Sequence, residues 1–245
     1  GGVAWLLGEL LDAGLLHEDV STVAGKGLRD YSLEPYVQEQ KLSWRALSKQ
    51  VLPEHILRGR QAPFAAHSGL HLLVGNLGRA VLKTSAVAEK FWQIKAPARV
   101  FDCEADALAA YSAGQLHGDL VLVLRFQGPA ANGMPELHKL IPILANLQAN
   151  GQKVALITDG RLSGASGKVL AALHVTPEAA KGGLLCRLQD GDLIELDATL
   201  GVLHVHVSEA QLALRSAAPV PSNTAQGYGL QLFAAQRRWV GPADQ

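Results

Sequence analysis

Between Ile157 and Val169 the chain reads ITDGRLSGASGKV, with an aspartate, an arginine, two serines, three glycines and a lysine behind a short apolar run. Such a density of polar and glycine residues suits a phosphate cradle, an active-site turn or a plain loop. A P-loop requires a glycine five positions before its GK pair and a hydroxyl residue after it. Here Leu162 and Val169 occupy those positions. Gly160, Gly164 and Gly167 also miss the GxGxxG spacing of a dinucleotide site. What remains is Asp159, Arg161 and Ser163 just past the carboxyl end of a buried strand, where open sheets place their chemistry. Gly164, Ser166 and Gly167 are expected to let the backbone approach a ligand, with amide donors from a following helix. A turn in which Asp159 and Ser163 only satisfy backbone donors fits these residues equally well.

The second dense stretch, RFQGPAANGMPELHK from Arg125 to Lys139, also follows an apolar strand. Gly128–Pro129 and Asn132–Gly133 are turn signals, and Pro135 suits the opening of a helix. Glu136 then falls in the first helical turn. There it either complements the positive end of the helix or ligates a hard cation such as magnesium, which takes oxygen ligands. Two polar, glycine-rich strand exits in one domain favour a shared site.

The elements that must position these residues show two regimes. Val3 to Leu16 has helical spacing, with Gly14 near its end, and short helices are expected within Val20–Leu28, over Leu42–Lys49 and from Pro53 to Leu57. The polar, aperiodic stretch from Gln38 to Ala62 suggests a domain boundary, set near residue 50. Beyond it HLLVG, AVLKTSAV, ARVF, LVLVLRF, KVALITD, LLCRL, DLIELD and VLHVHV read as strands between Gly, Asp, Asn and Pro. The nearly continuous apolar runs Leu120–Phe126 and Val154–Thr158 predict strands covered on both faces. His204 and His206 alternate with valine and leucine, predicting one wetter strand face. Helices are expected over Glu104–Ala113, Glu136–Leu147 and Lys168–Leu173. The second region is thus a mixed sheet or partly closed barrel with a few helices.

Lysine plus arginine equal aspartate plus glutamate at 22 each, so charge gives no reason to expect a nucleic-acid partner. No apolar segment reaches the roughly 18 residues that would cross a bilayer as a helix. Glu9 and Asp12 interrupt the first apolar run, which argues against a secretory leader. Two cysteines, Cys103 and Cys186, do not make a disulfide framework, and a reducing cytoplasmic setting is expected. The opening GGVAWLLGELLDAG reads as a helix already under way, and Met134 is the only methionine, as expected for a piece of a longer protein.

DGRLSG (Asp159 to Gly164) and GMPE (Gly133 to Glu136) resemble the dihydroxy-acid and phosphogluconate dehydratase family. The resemblance is nearer to its 6-phosphogluconate branch through RFQGPAANGMPELHKL, TDGRLSGASGKVLAALHVTPEA, GNLGRAVLKTSAV (Gly75 to Val87) and LLHEDVSTVAGKGL (Leu15 to Leu28). It implies a mixed α/β chain: residues 1–50 as the helical tail of an α/β, cluster-binding amino-terminal domain, and residues 51–245 as a swivelling β/β/α, barrel-like carboxyl-terminal domain. It further implies a homodimer with active sites between domains, and dehydration of 6-phosphogluconate to its 2-dehydro-3-deoxy product. By the same resemblance Glu136 falls on a ligand of a divalent cation, magnesium or manganese, and Ser163 on the general base at C2. Asp159, Arg161, His138, Lys139, Lys168, Asn76, Arg79 and Lys83 are candidate substrate contacts. The family's 4Fe–4S cluster takes cysteines from the amino-terminal domain, so its ligands are expected outside this chain, and the chain alone is expected to be inactive. A dehydratase of another sugar acid or branched dihydroxy acid, and a noncatalytic dimerisation domain, are the alternatives.

Overall fold

In the computed structural model, which describes residues 2–47, 55–66, 68–163, 168–221 and 228–244, the first helical stripe forms α1 (Gly2–Asp12). Gly14 follows it at φ 68°, the left-handed conformation that stops a helix, so α1 ends before Leu16. The chain divides into two compact units, Gly1–His67 and Ser68–Gln245.

After α1 the first unit is built of hairpins where helices were expected. Strands β1 (Ser21–Thr22) and β2 (Gly25–Lys26) pair within the Val20–Leu28 stretch. Strands β3 (Leu33–Gln38) and β4 (Lys41–Ala46) pair antiparallel, so most of Leu42–Lys49 is strand. Their two-residue turn, Glu39 and Gln40, has positive φ at both positions, the geometry that matches the twist of a hairpin. Local helix propensity yields here to cross-strand pairing. Pro53 and Glu54 lie outside the described residues, and His55 to Leu57 are not helical.

The second unit contains β5 (Leu70–Gly75), β6 (Gly78–Lys83), β7 (Gln93–Phe101), α2 (Glu104–Ser112), β8 (Leu120–Leu124), α3 (Pro129–Asn132), α4 (Leu140–Ala149), β9 (Val154–Thr158), β10 (Leu170–Thr176), β11 (Leu193–Asp197), β12 (Val202–Val205), α5 (Glu209–Leu214), α6 (Tyr228–Leu232) and α7 (Ala234–Trp239). Eight strands close into a barrel in the order β10-β6-β5-β12-β11-β7-β8-β9. Strands β7 to β10 run parallel to one another, and the remaining pairs are antiparallel except β12 with β5. Closure leaves no open edge for another chain to pair with. This barrel in a mixed α/β setting is the fold the resemblance implied.

The continuous apolar runs serve two cores. Val121 and Val123 of β8, Ala155 and Ile157 of β9 and Leu73 and Leu82 of β5 and β6 fill the barrel. The alternate residues Leu120, Leu122, Leu124, Val154 and Leu156 pack instead with Ala107 of α2 and Leu140 and Leu144 of α4. Burial on both faces therefore explains why these strands lack polar alternation.

Three expected elements differ. Lys168–Leu173 is not a helix: β10 begins at Leu170 and pairs parallel with β9 and antiparallel with β6, and that central place overrides local propensity. Leu184–Arg187 of LLCRL is a single 3₁₀ turn, whose Leu185 and Cys186 are buried without pairing in the sheet. Helix α4 begins at Leu140, because Glu136 is occupied in a parallel bridge with Arg161.

Candidate functional site

The exits of β8 and β9 meet because the two strands are parallel neighbours, from Leu120↔Val154 to Leu124↔Thr158. The chain after β8 turns through α3, whose carboxyl end is capped by Gly133 at φ 71°. Met134 follows, also at positive φ, and delivers Pro135 and Glu136 beside the segment leaving β9.

Two side chains and a backbone amide close the junction. The Arg161 Nε donates to the Met134 carbonyl at 2.8 Å, and its Nη1 donates to Glu136 Oε2 at 2.8 Å. The Ser163 amide donates to Glu136 Oε1 at 2.6 Å. Glu136 thus holds both neighbours, one with each oxygen, and an ionised carboxylate has about four lone-pair sites. Capacity remains for a hard cation at this half-buried group, so Glu136 fits as one ligand. Among the described residues no group of three His, Cys, Asp or Glu side chains is placed to hold a metal, so further ligands are not grouped with it there.

Asp159 satisfies backbone donors, one of the two roles its sequence left open. It is 0% exposed, and its carboxylate accepts the amides of Phe126, Gln127 and Ala179 at 3.2, 2.8 and 2.9 Å. Its amide contacts make it a brace between the two strand exits. Burial pushes its pKa up to about 6, against the pull of the three amides, and Glu178 adds to the rise. Gly160 next to it is tightly enclosed: a Cβ there would stand 2.7 Å from the Gln127 Cβ.

Other candidates divide by their surroundings. Asn76 donates to the Val205 carbonyl and accepts the Val205 amide, both at 2.8 Å, and so fastens the β5–β6 turn to β12. Arg79 is ion-paired with Asp244. His138, Lys139 and Lys168 are exposed. Lys83 stands close enough to act electrostatically on His174, as does Arg161. Gly164, Ser166 and Gly167 lie outside the described residues.

Two residues not singled out from sequence belong to this framework. His174, half-buried at φ 56°, donates its amide to the Gly160 carbonyl at 3.0 Å. Burial lowers its pKa, and Lys83 and Arg161 lower it further, favouring neutral imidazole. Glu178 is 4% exposed and accepts the Ala130 amide at 3.0 Å and the Ala131 amide at 3.3 Å, supplying from a distant segment the cap that Gly128 lacks. Neither residue sits in a spacing pattern, and only the HVTPEA stretch that holds both carried a sequence signal.

The cysteines do not fit an iron–sulfur cluster. Cys186 is 3% exposed within the barrel core, while Cys103 precedes α2, with its thiol pKa raised mainly by burial. His206 is exposed, as the wetter strand face predicts, and pairs with Glu195 at 2.6 Å. That contact, with Lys95 beyond, holds Glu195 below the usual carboxylate range. Among the described residues no helix is long and apolar enough to cross a membrane.

The family profile described as dihydroxy-acid/6-phosphogluconate dehydratase C-terminal matches residues 55–245. A phosphogluconate dehydratase of Pseudomonas aeruginosa is 53% identical over 245 residues, covering 100% of this chain and 40% of that protein. One from Escherichia coli K12 is 51% identical over 246 residues, again across 100% of this chain and 41% of that protein. A dihydroxy-acid dehydratase of Ignicoccus hospitalis is 38% identical over 222 residues, covering 89% of this chain and 37% of the relative. The chain therefore spans about two-fifths of the length of these relatives. It belongs to the dihydroxy-acid/6-phosphogluconate dehydratase family and carries that family's C-terminal domain.

Proposed function

We propose that this chain supplies half of the active site of a 6-phosphogluconate dehydratase, with Ser163 as the base and Glu136 as a cation ligand. The carrying observation is the Arg161–Glu136–Ser163 junction, in which one carboxylate with spare lone pairs joins an arginine and the backbone of a serine. The greater identity and fuller coverage of the phosphogluconate relatives support that substrate over a branched dihydroxy acid.

Abstraction of a proton beside a carboxylate is difficult because that carbon acid is weak. Glu136 would in part hold a divalent cation, which when bound would supply positive charge against the charge developing at C2. Ser163 accepts the C2 proton on its Oγ, the electron pair forms the C2–C3 double bond, and the C3 hydroxyl leaves with a proton as water. The enol then becomes the 2-keto acid. A serine hydroxyl is a poor base alone, and positive charge from a cation held in part by Glu136 would favour its ionised form. Arg161 and the Ser163 amide hold the carboxylate still, while Asp159 and Glu178 hold the loops that carry it. Because Cys103 and Cys186 do not suit a cluster, no step is assigned to them. In this reading the 4Fe–4S ligands reside in the amino-terminal domain of a cytoplasmic homodimer.

Full-length Glu136→Gln tests the reading. It keeps the shape of the group but removes its charge. The expected result is a loss of divalent-cation binding, followed by titration calorimetry, together with a fall in 6-phosphogluconate dehydration. Unchanged cation affinity in a folded variant would overturn the ligand assignment.

A further inference from the structure

A cleft of about 700 Å³ opens beside this junction, between the Gly133–Met134 turn and α7. Met134 belongs to both: its carbonyl receives Arg161, and the residue lines the cleft. Arg237 of α7 also lines it, half-buried, with its stem over Gly133, where an added Cβ would stand 3.7 Å from the Arg237 Cδ.

Most arginines around the barrel are ion-paired; Arg187, which donates to backbone carbonyls, Arg238 and Arg237 are not, among the described residues. Arg79, Arg125, Arg161 and Arg215 each have a carboxylate partner. Among the described residues Arg237 has none, and no acidic side chain lines the cleft. Asp244, a few residues on, is already held by Arg79. The walls nearby include Phe233, Trp239 and Val240. A planar guanidinium without an internal counter-ion suits the paired oxygens of a phosphate.

We propose that this cleft receives the phosphate end of a sugar-acid monophosphate, and that Arg237 determines specificity for it. The inference rests on the dehydratase reading above, which places the acid end of the same substrate at Glu136 and Ser163. Met134 both lines the cleft and accepts from Arg161, so the floor of the cleft and the Arg161–Glu136 pair share one turn.

The test compares wild type, Arg237→Gln and Arg237→Lys in the full-length, cluster-reconstituted enzyme, with 6-phosphogluconate and phosphate-free gluconate as substrates. Loss of a charge-assisted contact is expected to raise KM for 6-phosphogluconate by about 10- to 100-fold with kcat within about threefold. The preference for the phosphorylated acid falls by the same factor, and lysine restores part of it. A fall in kcat at constant KM, or an equal loss on both acids, would make Arg237 a structural brace and overturn the subsite. Unchanged kinetics in both variants, beside an active wild type, would overturn the subsite alone. A reconstituted wild type inactive on 6-phosphogluconate would remove the substrate reading together with it.

Discussion

Glu136 faces two donors at once, and the geometry of the candidate site follows from that fact. Its oxygens fix Ser163 through the backbone and Arg161 through the side chain. Replacing Ser163 by alanine keeps the amide bond to Glu136 and removes only the hydroxyl. In the full-length protein the expected loss of kcat is roughly 10²–10⁴-fold, the usual contribution of a positioned base, in a variant that still folds. A steady-state assay beside a thermal melt checks it, and retained kcat would contradict the base assignment. Arg161→Lys is a different experiment, because an ammonium lacks the fork that reaches the Met134 carbonyl and Glu136 together. Cation affinity should fall by about 10- to 100-fold, as for other residues that orient a ligand. Equal affinity by calorimetry would show that Glu136 is held well enough without the fork.

At the scale of elements, two buried carboxylates hold the strand exits together. Asp159 receives amides from both sides of the junction, and Glu178 caps α3. The pKa of Asp159 is raised to about 6 from 3.8, chiefly by burial. Its stability contribution is therefore fully present below the unfolded value and declines as pH rises through the folded one. Relative to Asp159→Asn, wild type should lose about 2 kcal/mol between pH 4 and pH 7, and little more above that. Urea melts across that range check the sign, and a difference that grows with pH would contradict it. Much of this element layer was legible from sequence. The runs LVLVL and VALIT declared strands covered twice because alternate residues serve different cores. The turn leaving β8 was legible from Gly128 and Gly133. Burial of Asp159 was not, since an aspartate after a strand reads alike whether it meets amides or solvent. Nor was β10, where partners on both sides decide the structure of a stretch read as helix. LLCRL had the composition of a strand but lacked a neighbour to pair with.

For the whole molecule, a closed barrel brings residues distant in sequence to one rim, and the eight strands leave that rim standing on two filled cores. The barrel supplies a carboxylate, a serine and an arginine, but the grouped ligands of a metal centre are not among its described residues. The 245-residue chain alone should therefore show no dehydration of 6-phosphogluconate, even with added magnesium or manganese, in a coupled assay for the 2-keto product. Activity in this chain alone would show that the cluster-bearing part is dispensable. The most direct test of the account is anaerobic dehydration of 6-phosphogluconate by the full-length protein after iron–sulfur reconstitution, with a branched 2,3-dihydroxy acid as comparator. The account predicts turnover of the phosphorylated sugar acid in clear preference, and its abolition by Ser163→Ala. Preference for the branched acid, or full activity in the alanine variant, would contradict it.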